Sequence, residues 1–226
     1  MGTQWTPMTL ALQISVPLAT IVWVHYNARS DEQSMNRSLT RLATTMTPKP
    51  NLTPVRDLKV LKFQIPAHGL IPNTSLQNKP LLIYRSAFPS STNASQIESH
   101  LASVGVVDPQ WRYTMYSTSH FHSTSHEVLG VCAGRAKLCF GHEDNPGKVE
   151  QVLEKGDVIV MPAGVAHRLL EDLSGGFQMV GCYPKGCNWD MCYGKKGEEG
   201  RIEGIRKLGW FERDPVYGAG GPTLDV

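Results

Sequence analysis

The sequence predicts an all-β domain, a sandwich or small barrel of short antiparallel strands. Glycine and proline, 21 and 15 among 226 residues, interrupt the chain too often for long helices. Between Pro109 and Tyr183, short apolar or alternating runs recur between Gly and Pro turns, the pattern of a sandwich or barrel. A hydrophobic fraction of 41% with 19% charged residues is ordinary for a globular chain and excludes a disordered polymer.

The elements follow in order. Residues 60–65 and 81–85 read as strands bounded by Pro, Gly and Asn. Residues 93–104 read as a helix. Ile97, Leu101 and Val104 fall at i, i+4 and i+7, Asn93 or Ser95 can cap its start, and Gly105 can end it. Strands are then expected at 111–116, 127–133, 136–140, 149–153, 157–161, 167–170 and 177–183. Gly134 separates the second and third of these, and Asn145-Pro146-Gly147 has the composition of a type II turn. From Asn188 the chain is rich in Gly and charge, with Ile202, Ile205 and Leu208 suggesting one short helical turn. Residues 46–187 are therefore expected to form the barrel, and 188–226 a tail laid on its surface.

The N-terminal 45 residues differ in kind. Residues 8–24 are apolar and at the short edge of a membrane span. No Lys or Arg precedes them, as a secretory signal would require, and Met1-Gly2-Thr3-Gln4-Trp5-Thr6 fits the permissive myristoylation pattern. A polar, Ser/Thr-rich linker follows. Four N-x-S/T sequons occur, at Asn36, Asn51, Asn73 and Asn93. Three readings compete: an anchor or uncleaved signal, a helix packed on the body, or an extension upstream of a true start at Met46. The third is preferred, because the chain from Met46 onward reads as a whole domain.

Charge and cysteine content narrow the partners. With 22 Lys+Arg against 20 Asp+Glu, the net charge of +2 leaves no basic face for nucleic acid. Cys132, Cys139, Cys182, Cys187 and Cys192 are odd in number and contain no C-x-x-C pair, so free thiols in a reducing compartment are expected. The expected location is the cytoplasm, with membrane anchoring or secretion through residues 8–24 as the alternative. The expected partner is a small-molecule substrate, with no nucleic acid and no membrane surface, and a homodimer is left open.

The chemistry sits in a histidine cluster. On a strand, His120 and His122, at i and i+2, share one face. His126 and Glu127 follow, and His167 stands before a later apolar strand. Imidazoles with a carboxylate suit a first-row transition metal, and a small barrel can enclose such a site with one small ligand. Parity on a continuous strand would point His126 inward, whereas a bulge at Ser123-Thr124-Ser125 would select Glu127. Spacing leaves both open. Tyr113, Tyr116 and Tyr183, with Trp111 and Phe121, read as aromatic core packing, and no further catalytic residue is assigned.

Two spaced motifs carry a resemblance. His120-Phe-His122-Ser-Thr-Ser-His-Glu127-Val-Leu-Gly-Val-Cys-Ala-Gly134 fits H-x-H-x(3,4)-E-x6-G, and Gly156 to His167 fits G-x5-P-x-G-x2-H. These resemble the two cupin motifs, although Glu171 stands where the second usually ends in Asn. The Asp214-Pro-Val-Tyr-Gly218 segment and the opening around 61–85 are similar to those of YjlB-like single-domain cupins. The resemblance covers about residues 50–222 and not residues 1–45. It implies a double-stranded β-helix barrel of jelly-roll type, with one metal held by His120, His122, Glu127 and His167. His126 would then lie behind the ligands or at the mouth. An octahedral Fe(II) in that set would leave two positions open, and Mn, Ni or Zn are the alternatives. Similar stand-alone fungal cupins are assigned as oxidoreductases of aromatic-polyketide pathways. The function expected by resemblance is a metal-dependent oxidoreductase acting on a small aromatic or polyketide-derived secondary metabolite. The alternatives are a non-catalytic metal- or ligand-binding cupin and a cupin isomerase or decarboxylase.

Overall fold

In a computed structural model, residues 49–226 are described, and the expectations for residues 1–45, including the apolar stretch 8–24, lie outside them. The chain runs β1 (Lys59–Phe63), β2 (Leu81–Arg85), α1 (Ala94–Val104), β3 (Val107–Tyr113), β4 (Glu127–Ala133), β5 (Arg135–Phe140), β6 (Val149–Glu154), β7 (Val158–Met161), β8 (His167–Asp172), β9 (Gln178–Pro184) and α2 (Glu199–Gly204). All strand pairings are antiparallel. One sheet has six strands in the order β1-β2-β7-β4-β9-β3, and the other three, β6-β5-β8. This is the jelly-roll arrangement that the resemblance implies.

The inner strands of the large sheet are buried on both faces, which is why β2 and β7 read as unbroken apolar runs, LLIY and VIVM. Side chains alternate across it. Leu81, Ile83, Leu129, Val131, Ile159, Met161 and Met179 point to the small sheet and meet Ala136, Leu138, Phe140 and Leu153 there. Leu82, Tyr84, Val128, Val158, Val160 and Val180 point the other way, under Ile97 and Leu101 of α1 and Phe211 and Val216 of the C-terminal segment. Truncating a buried residue such as Leu129 or Ile159 to Ala costs about 2–5 kcal/mol.

Helix α1 starts with a capping box: the Asn93 side chain accepts from the Gln96 amide, and the Gln96 side chain accepts from the Asn93 amide. It ends at Gly105 with φ +74°. Two local expectations are corrected. β3 begins before Pro109, at Val107, rather than after it. It is an edge strand with a register shift between Pro109 and Trp111, so the missing N–H is tolerated. The turn at Asn145–Lys148 closes by the Lys148 amide donating to the Asn145 carbonyl, but Gly147 does not take the positive φ of a type II turn. The Asn145 side chain instead accepts from the Gly147 amide at 2.9 Å.

Asp214 ties the C-terminal segment to the barrel. Fully buried, it accepts from the Val216 and Tyr217 amides through Oδ1, and from Tyr84 Oη, Thr223 Oγ1 and the Thr223 amide through Oδ2. Burial, and then the nearby Asp214 charge, push the Tyr84 phenol far above its usual range, so it stays a donor. Among the described residues no helix is long and apolar enough to cross a membrane. Replacing Asp214 by Ala strands five donors, and the expected loss of stability is about 3–5 kcal/mol by denaturant unfolding. Unchanged stability would show that the network carries no weight.

Candidate metal centre

Local folding brings four separated residues together. His120 and His167 face each other across an antiparallel bridge, each amide donating to the other's carbonyl at 3.3 and 2.9 Å. Gly164 makes this possible: its φ is +91°, a Cβ there would come within 2.8 Å of Pro72, and its amide donates to the His122 carbonyl. The chain bends at Ser123–Thr124, where the Asp190 carboxylate accepts from the Ser123 amide and hydroxyl, both at 2.6 Å. That bend resolves the parity question. Glu127 shares the inner face of β4 with Leu129 and Val131. His126 points away, to Trp210 and Phe211.

The rings are set in one tautomer. His120 Nδ1 donates to the Thr118 carbonyl, His122 Nδ1 to that of Asp190 and His167 Nδ1 to that of Val165. Each therefore keeps its Nε2 lone pair free. One nitrogen from each ring lies within 4.8 Å of the others, and all three residues are buried. Glu127 stands beside two of them rather than inside that triangle, with Oε1 at 3.4 Å from His122 Nε2 and Oε2 at 3.6 Å from His167 Nε2. Its Oε1 accepts from Tyr183 Oη at 2.6 Å, and its Oε2 is buried with no hydrogen-bond partner.

A carboxylate that close to nitrogen lone pairs needs a proton or a cation between them. Burial works against protonating His122, but the Glu127 charge outweighs it and raises its pKa. Burial also disfavours ionising Glu127, yet the His122 and His167 charges and the Tyr183 hydroxyl hold its carboxyl down to about 2. His167 is pushed down to about 3, by burial and then by His120, and burial lowers His120. A cluster of imidazoles with an orphaned buried carboxylate oxygen fits a divalent cation.

The cluster forms the floor of a cavity of about 240 Å³. Leu129, Met115, Met179, Met191 and Trp111 form the walls. Tyr113, Tyr116 and Trp189 edge the mouth, at 53%, 52% and 42% exposure. The tyrosine expectation is therefore corrected for two of three. Tyr113 and Tyr116 are exposed rim residues, with Tyr116 edge-on to His120, because the strand carrying them stops at Tyr113 and leads into the loop before His120. Tyr183 is buried, but its hydroxyl serves Glu127. His126 is not at the mouth. Its Nδ1 accepts from the Ala163 amide and its Nε2 donates to the Gly209 carbonyl, stapling the loop before His167 to the C-terminal segment. Asp190, Trp189 and Met191 were not foreseen, since no motif marks them and all lie far along the chain.

The cupin family profile matches residues 115–171, a stretch that includes His120, His122, Glu127 and His167. YjlB of Bacillus subtilis (strain 168), an uncharacterized protein, is 31% identical over 165 residues, covering 73% of this chain and 94% of YjlB. The chain belongs to the YjlB-like cupins. Among solved structures, procruciferin, an 11S globulin from Brassica napus, matches at 14% identity and a TM-score of 0.28, over 50% of this chain and 22% of its own. A tryptophan-to-tyrosine variant of Bacillus subtilis oxalate decarboxylase matches at 15% identity and a TM-score of 0.30, over 50% of this chain and 27% of its own. This YjlB-like chain thus spans well under half of either solved chain.

Burial pushes the His126 imidazole down to about 4 from the ordinary 6.5. Between these values the unfolded chain binds a proton that the folded chain refuses. His126's contribution is thus complete above pH 6.5 and falls as pH drops towards 4. Urea unfolding of metal-free protein at pH 7 and pH 5 should show a pH-dependent loss smaller by about 1–2 kcal/mol in His126→Gln than in wild type. Equal losses in the two proteins would refute this.

Proposed function

We propose that His120, His122, Glu127 and His167 hold one divalent transition metal, and that the protein is a metal-dependent oxidoreductase acting on a small aromatic molecule. The observation that carries this reading is the apolar, aromatic-edged cavity whose floor is three free imidazole nitrogens and an unpartnered carboxylate oxygen. Size favours a compact substrate. An apolar cavity of about 150 Å³ accepts benzene, so about 240 Å³ suits one substituted ring. Trp189, close to His122 at 5.8 Å between ring centroids, and Tyr116, close to His120 at 5.6 Å, would flank such a ring above the cluster.

Reaction class is argued from what the walls supply. Among the described residues, the lining holds no lysine and no carboxylate besides Glu127. Arg112 is tied to Glu98 and Ser95. Burial, then the Glu127 charge, raise the Tyr183 phenol far above its usual range, so it holds its proton. With few protein groups free for acid–base work, a redox reaction is favoured over isomerisation. The bound metal supplies Lewis acidity and, as iron, one-electron chemistry. Iron is the proposed ion, with manganese, nickel and zinc as the comparisons. The protein's share is to orient the substrate ring, exclude water from the buried floor and hold the three imidazoles through Nδ1 so that each Nε2 faces the cluster. A small metabolite from an aromatic-polyketide route is the proposed substrate class.

Elemental analysis of purified protein should find about one metal per chain, and oxygen uptake should appear with a panel of aromatic alcohols and aldehydes. His122→Ala should lose turnover on every substrate in step with metal content, while circular dichroism stays native, since the apolar core does not include that ring. Trp189→Ala should raise KM about 10-fold or more without changing metal content, as expected for loss of one stacking wall. Protein loaded in turn with iron, manganese, nickel and zinc that turns over nothing across the panel would refute the oxidoreductase reading.

A further inference from the structure

A line of hydrogen bonds runs into the cluster from the edge of the large sheet. Trp111 lies on β3, Tyr183 on β9 and Glu127 on β4, and these three strands are neighbours. Trp111 Nε1 donates to Tyr183 Oη at 3.0 Å, and Tyr183 Oη donates to Glu127 Oε1 at 2.6 Å. An indole N–H can only donate, so the single proton of the tyrosine hydroxyl is directed at the carboxylate. Gly181 makes room for this. It pairs in register with Trp111, and a Cβ there would fall 2.0 Å from Trp111 Cε2. The indole lies over the space that any other residue would fill, which carries its nitrogen to the hydroxyl two residues along the same face. At the end of the line one carboxylate oxygen is occupied and the other, Oε2, is buried without a partner.

We propose that Trp111 and Tyr183 are positioning residues that turn Glu127 so that it offers the metal one oxygen only; this rests on the metal-centre reading above. A carboxylate free to rotate can bind through both oxygens and take an additional coordination position. With Oε1 held by Tyr183, Glu127 binds through Oε2, and that position stays open to the substrate. Removing the hydroxyl releases Oε1, and removing the indole lets the hydroxyl proton turn away.

The test uses the full chain with Co(II) as a spectroscopic probe. Metal affinity is read by chelator competition, coordination by visible absorption and folding by circular dichroism. Tyr183→Phe should stay folded and bind one Co(II), with affinity weaker by about 10–100-fold and with an absorption band changed in intensity, since Co(II) absorption reports coordination number. Trp111→Phe should show the same spectral change with a smaller loss of affinity. Gly181→Ala, which leaves tyrosine and carboxylate in place but displaces the indole, should reproduce the Trp111→Phe spectrum. Wild-type affinity and an unchanged spectrum in Tyr183→Phe would overturn the proposal while leaving the metal centre standing. A changed spectrum in Tyr183→Phe alone would overturn the part assigned to Trp111. A wild-type chain that binds no Co(II) would overturn the metal-centre reading itself, and the positioning roles with it.

Discussion

A carboxylate buried in an apolar barrel is the constraint around which this molecule is arranged. Glu127 sits on the inner face of β4, two residues from Leu129, on the face that builds the core between the sheets. An isolated charge there would cost several kcal/mol. The surroundings answer it with two imidazoles and a tyrosine hydroxyl, and leave its Oε2 without a hydrogen-bond partner. Each answering group comes from a different strand or loop. β9, paired beside β4, brings in Tyr183, while His167 comes from β8 of the other sheet, so the site is assembled where the two sheets meet.

The imidazoles are in turn held by main chain rather than by other side chains. Carbonyls of Thr118, Val165 and Asp190 accept the three Nδ1 protons. Backbone acceptors are insensitive to which side chain stands at their position, so ring orientation can persist while the cavity walls change. The rim is the opposite case. Tyr113, Tyr116 and Trp189 touch the site only through ring contacts, and their exchange would reshape the cavity without disturbing its floor. A family that keeps one floor under varied walls can host different chemistries on one fold.

Much of this was legible in the sequence. A cap at Asn93, one of two candidates, the Gly105 stop of α1 and the limits of β2 and β4 follow from local chemistry, because those elements bury what their periodicity says they should. The four cluster residues were legible through two spaced motifs. Spacing left the choice between His126 and Glu127 open and the resemblance alone chose Glu127, since the bend at Ser123–Thr124 depends on Asp190, which no local pattern announces. Tyr183 packs in the core as expected, but the role of its hydroxyl was not legible, because a tyrosine's hydroxyl partner is set by the neighbouring strand, not by its own. Tyr113 and Tyr116 were misread because strand β3 starts before Pro109 and ends early. Edge strands tolerate proline, a fact that depends on sheet order and not on composition.

Asp190 has one more consequence, concerning order of synthesis. It holds the His122 ring and caps the turn behind it, yet it is synthesised after His120, His122, Glu127 and His167. A nascent chain lacking residue 190 carries every side chain of the cluster but leaves the His122 ring unanchored. Ordering of the site is therefore delayed until translation has passed the barrel strands.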